Sequence, residues 1–104
     1  MIGVIVKTEL DADELSLDWV PEALDINLIN SAFQDLLGYT PSKEQFTHDV
    51  DSTLIHFTID DMRHPKAIAF SCTASSPEAE LINSLAEKLN AKIYDSEMCE
   101  FIQL

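Results

Sequence analysis

A chain of 104 residues with 46% apolar side chains is long enough to bury one hydrophobic core and too short for two, so a single domain over residues 1–104 is expected. Six Lys and Arg stand against nineteen Asp and Glu, a formal net charge of −13 with neutral histidines; a field of that sign repels phosphate backbones and anionic headgroups and argues against direct binding to nucleic acid or a membrane surface. No apolar run approaches the roughly 18 residues of a membrane helix, and Met1 to Lys7 is too short and too lightly charged for a signal peptide, which makes the cytoplasm the expected compartment.

The first segment, Ile2-Gly3-Val4-Ile5-Val6, is β-branched and nearly continuous in apolar character, and predicts a strand over residues 2–8. From Glu9 to Asp25 the chain holds seven carboxylates and no Lys or Arg, interrupted by Leu10, Leu15, Leu17, Trp19, Val20 and Leu24. That mixture predicts a long loop pinned by apolar anchors rather than a disordered acidic tail. Leu28, Ile29, Ala32, Phe33, Leu36 and Leu37 form one helical stripe, so a helix is expected over 26–37 with Asp25 as N-cap and Gly38 as its stop. Pro41 breaks the pattern, and a connection of undetermined form runs to Asp51.

From Thr53, Ile55, Phe57 and Ile59 alternate with Leu54, His56 and Thr58, and Ile68, Phe70 and Cys72 alternate within Ala67 to Thr73. With turn residues Asp60 to Pro65 between them, the two runs predict a β-hairpin. Ser75-Ser76-Pro77-Glu78 opens a second helix whose stripe is Leu81, Ile82, Leu85, Ala86 and Leu89, and Asn90 ends it. Two short strands, Ala91 to Tyr94 and Cys99 to Ile102, close the chain. The expected core is Val4, Val6, Leu28, Phe33, Leu36, Ile55, Phe57, Ile68, Phe70, Leu81, Leu85, Leu89 and Ile93. This order of elements resembles a ferredoxin-like βαββαβ arrangement, an α+β two-layer sandwich with both helices on one face of an antiparallel sheet, here with an extra C-terminal strand.

The residues that might carry chemistry are scattered. His48, Asp49, Asp51, His56, Asp60, Asp61 and His64 are metal-ligand types but match no ligand spacing, so no metal is expected. Cys72 and Cys99 are too few for a disulfide framework and lack the signature of an activated nucleophile, so both are read as reduced thiols. With two glycines in the chain there is no phosphate-cradling loop, so no nucleotide cofactor and no enzymatic activity are expected.

What stands out is Asp13, Glu14, Asp18, Trp19 and Glu22, a tryptophan among carboxylates, which has the composition of an interface anchor with an electrostatic collar; the plainer reading is that Trp19 covers the open end of the helix layer. In size, charge and this grouping the chain resembles the small acidic immunity proteins that act against bacterial toxins. The resemblance implies a protein-binding inhibitor that blocks the active site of a basic toxin domain with those five residues. The alternative is a dimeric small-molecule-binding regulatory module, with the chain-end strand Cys99 to Leu104 supplying an edge for pairing into a homodimer.

Overall fold

The computed structural model describes residues 1–10, 14–15, 19–50 and 53–104. Its elements in chain order are β1 (Ile2–Val6), α1 (Ile26–Leu37), β2 (Gln45–Val50), β3 (Thr53–Ile59), β4 (Ala67–Ser71), α2 (Ser76–Lys88), β5 (Lys92–Asp95) and β6 (Glu100–Ile102). The strands form one antiparallel sheet in the order β2-β3-β4-β1-β5-β6. The fold is therefore α+β, with six strands where the alternation predicted five. The added strand is β2, in the segment expected as an undetermined connection. Its period-2 signal is weak because the inward positions are Phe46 and the imidazole of His48 rather than two aliphatic residues.

Local chemistry sets the ends of the helices. Asp25 Oδ1 accepts the amide of Asn27 at 2.8 Å and caps α1, and Gly38 ends it at φ 83°, a left-handed conformation that costs glycine nothing. Asn90 takes φ 52° immediately after α2, the short polar side chain making that region tolerable.

Strand register divides the sheet into two faces. Ile5 lies opposite both Ile68 and Ile93, and Phe57 opposite both Phe70 and Phe46; these side chains meet the helices in one core with Ile29, Phe33, Ile82 and Leu85. Phe33 of α1 packs edge-on against Phe57 at 5.3 Å and Phe46 at 5.5 Å, while Phe46 and Phe57 stack at 5.2 Å. Gly3 leaves room for the Phe70 ring: a Cβ there would stand 2.6 Å from Phe70 Cζ. The opposite face, which neither α1 nor α2 covers, shows Thr47, His56, Ser71 and Ile2 in one row and Gln45, Thr58, Ala69, Val4, Tyr94 and Phe101 in the next.

The two-face geometry corrects the expected core in two places. Leu28 is 47% exposed, because it falls about a quarter-turn outside the stripe centred on Ile29, Phe33 and Leu36. Val4 is half-buried on the helix-free face; Val6, on that same face, is buried. Leu36 and Leu81 pack partly buried against the core.

Glu78 is 2% exposed, yet no Lys or Arg approaches it. Its Oε2 accepts the Leu54 amide at 2.9 Å; its Oε1 accepts the Thr73 amide at 3.1 Å, the Thr73 hydroxyl at 2.8 Å and the Ser75 amide at 3.3 Å. One carboxylate thus ties the start of β3, the chain leaving β4 and the first turn of α2. The Leu54 amide is the largest influence holding its pKa down to about 2, against an ordinary 4.5, with the Thr73 and Ser75 bonds adding to it and burial opposing.

Two predictions follow from these contacts. A carboxylate with a depressed folded pKa stabilises fully above its unfolded value, and that contribution disappears as pH falls from 4.5 towards about 2. Glu78→Gln should cost about 1–3 kcal/mol at neutral pH in urea unfolding, and should flatten the acid limb of stability below pH ~5 relative to the native chain; an unchanged acid limb would remove Glu78 from this role. Gly3→Ala should cost about 1–3 kcal/mol by overpacking against Phe70, measured in the same way.

Candidate functional site

The acidic segment between β1 and α1 is fixed to the body at both ends. After Val6, Lys7 and Glu22 form an isolated antiparallel bridge, the Glu22 amide donating to the Lys7 carbonyl at 2.9 Å. Two residues on, the Leu24 amide donates to the Pro65 carbonyl at 2.8 Å, and the Leu24 side chain is 5% exposed in the core. The two described ends of the segment thus lie side by side at the sheet, and the expectation of a loop with apolar anchors falls in part on residues 11–13 and 16–18, outside the described residues. Near its beginning, Lys92 Nζ donates to the Leu10 carbonyl at 3.1 Å and lies 5.2 Å from the Phe101 ring centre.

Of the five residues expected to meet a partner, Glu14 and Glu22 are exposed and Trp19 is half-buried. Asp13 and Asp18 lie outside the described residues. A half-buried tryptophan keeps part of its indole for packing and part for contact, so both readings of Trp19 retain physical content.

The hairpin between β3 and β4 lies at the same end of the sheet, since Val6 pairs with Ala67 and Ile59 with Ile68. There Asp60 Oδ1 accepts the Lys66 and Ala67 amides at 2.9 and 3.1 Å, and Asp61 Oδ1 accepts those of Arg63 and His64 at 2.9 and 3.4 Å. The Arg63 amide is the main reason that the Asp61 carboxyl is held below its ordinary value. Each of these adjacent acids accepts backbone amides of the hairpin and so helps to close the turn. Lys7, Arg63, Lys66 and Lys92 also stand at this end, so its charge is mixed outside the segment itself.

The histidines do not converge. His48, on β2, is buried on the helix side with Nδ1 3.2 Å from the Tyr39 hydroxyl. His56, on β3, is exposed on the other face with Nδ1 3.0 Å from Thr47 Oγ1, and His64 is exposed in the hairpin. Among the described residues no three His, Cys, Asp or Glu side chains come together as metal ligands would; Asp51 lies outside them. Cys72 is buried, and burial pushes its thiol up, with the charge of Glu78 adding to the effect. Cys99 is exposed at φ 56° in the turn after β5.

Sequence reasoning missed the other end of the sheet. Ile2 is 53% exposed, Val50 51%, Leu54 44% and Met98 66%, and each lies where β1 begins, β2 ends, β3 begins or β5 turns into β6. Exposed Asp49 and Glu97 stand beside Leu54 and Met98. The signal was present only as apolar residues at strand ends, and strand pairing was needed to bring them to one side.

Buried His48 should titrate below the ordinary 6.5, since desolvation disfavours the imidazolium more than the charge of Asp49 favours it. Its share of stability is therefore present above pH 6.5 and lost on acidification. An NMR titration of the imidazole protons should place the His48 midpoint below 6.5; a midpoint above it would contradict the burial. No protein-family model, curated protein or solved structure matches the chain, and no helix among the described residues is long and apolar enough to cross a membrane.

Proposed function

We propose that this protein is a non-catalytic inhibitor that binds a basic protein partner, in the manner of a toxin immunity protein, and covers that partner's active site with its acidic surface. The observation that carries the reading is the segment from Glu9 to Asp25: seven carboxylates without a Lys or Arg, held to the body by the Lys7–Glu22 bridge, the Leu24–Pro65 bond and the buried Leu24 side chain. Clustered like charge repels itself and raises the free energy of the folded state unless a partner or solubility compensates. Its anchors at Glu22 and Leu24 hold the end of the segment against the body, and carboxylates grouped without a cation favour rapid capture of an oppositely charged cleft. Asp13, Glu14, Asp18, Trp19 and Glu22 are the contact residues in this reading.

The inner strands, in the order β3-β4-β1-β5 with α1 preceding β2 and β3 and α2 joining β4 to β5, support a ferredoxin-like βαββαβ unit carrying β2 and β6 as added edge strands. A groove of about 430 Å³ beside β5 and β6, lined by Asn83, Glu87, Lys92, Phe101 and Ile102 among others, favours the regulatory module as the second reading. A ligand-induced rise in melting temperature that Asn83→Ala and Phe101→Ala abolish would support that alternative.

Partners captured from native lysate at low salt should be basic. Asp13→Asn with Glu14→Gln should slow association and flatten its salt dependence. Trp19→Ala should instead speed dissociation, by about 2 kcal/mol or more if the indole is a hot spot. An acidic partner, or an affinity indifferent to salt and to all five positions, would sink the inhibitor reading.

A further inference from the structure

We infer that the helix-free face of the sheet, at the end away from the acidic segment, is a second docking surface, and that its occupant is a basic protein segment with apolar side chains at its centre. It draws on the preceding reading only for the sign of the partner's charge.

Register places the surface. Ile2 and Ser71 share a row with His56, and Leu54 lies two residues further along β3 on the same face. Ile2 and Leu54 are thus two strand spacings apart across the sheet and two residues apart along it, about 12 Å. Met98 follows from the turn whose Ser96 amide donates to the Ile2 carbonyl at 3.2 Å. Ile2, Leu54 and Met98 are among the most exposed large apolar side chains described. The rows leading inward from them, through Val4, Ala69, Tyr94 and Phe101, hold no Asp or Glu in a chain with nineteen. Over β4, β1, β5 and β6 this face continues the apolar character of the patch with half-buried Ala69, Val4, Tyr94 and Phe101, while β2 and β3 carry Gln45, Thr47, His56 and Thr58.

Charge selects the occupant. Asp49, paired with Leu54 across β2 and β3, and Glu97, next to Met98 in the turn, rim the patch and are exposed. None of the six Lys and Arg lies there: Lys7, Lys43, Arg63, Lys66 and Lys92 belong to the opposite end, and Lys88 is 3.5 Å from Asp35 on the helices. The Met1 ammonium near it is turned onto the Cys72 carbonyl. A second copy would bring one carboxylate rim against another, while a cationic partner meets apolar centre with apolar centre and rim with opposite charge.

The test uses a synthetic amphipathic helix of leucines and lysines, and a control peptide of equal charge with glycines for the leucines. Isothermal titration at moderate salt should show the leucine–lysine peptide binding and the control binding at least about tenfold more weakly. Leu54→Ser with Met98→Ser, both exposed positions and checked for folding by circular dichroism, should weaken the first peptide by about tenfold or more. Asp49→Asn with Glu97→Gln should reduce the salt dependence, and Glu14→Gln with Glu22→Gln should leave the affinity nearly unchanged. Equal binding of the two peptides overturns the inference, as does sensitivity to the Glu14 and Glu22 changes in place of Leu54 and Met98; the basic-partner reading survives that second result. A dimer of the free protein that Leu54→Ser disperses would make the occupant a second copy and also overturn it.

Discussion

A chain with six cations cannot pair nineteen carboxylates, so the fold has to find other uses for its acids. It directs many of them at its own backbone. Asp25 caps α1, Asp60 and Asp61 close the β3–β4 hairpin, Asp95 accepts the Glu97 and Met98 amides in the turn before β6, and Glu78 accepts three amides and a hydroxyl. Charge-assisted bonds to amides are roughly twice as strong as neutral ones, and they need no lysine. Glu78 and Asp95 are buried on this basis. A buried carboxylate with several good donors tolerates the loss of water, while one without them would take up a proton.

The same scarcity of cations gives the surface its polarity. Five of the six Lys and Arg gather at the end of the sheet where β1 and β3 finish, beside the acidic segment, which leaves the other end without a Lys or Arg among its exposed carboxylates and apolar side chains. On the proposed reading the first end would attract a basic partner at long range, and the second would add an apolar contact. Fast encounter depends on the first property and slow release on the second. A protein acting by occupying another protein's cleft needs both.

Much of the fold was legible in the sequence, because the relevant signals were local. Asp25, the Ile29-Phe33-Leu36 stripe and Gly38 bounded α1 at its observed residues, and Ser75 with Glu78 marked the start of α2. The hairpin of β3 and β4 followed from alternation. What was not legible depended on pairing at a distance. β2 was hidden because a histidine occupies an inward position, its ring packed beside Tyr39 instead of an aliphatic neighbour. Glu78 could be read as a capping residue, but its bond to Leu54 could not, because nothing in the helix start reveals which strand passes over it. The apolar patch was unreadable for the same reason: Ile2 and Leu54 become neighbours only through β4.

The central claim is that the uneven distribution of charge decides where another protein is held. Mapping the amide shifts of the isotopically labelled protein against its captured basic partner tests this most directly. The account predicts that the perturbed amides concentrate in Thr8–Asp25 or around Ile2, Leu54 and Met98, with the exposed faces of α1 and α2 unaffected. Perturbations centred on the two helices, or spread evenly over every exposed carboxylate, would contradict it.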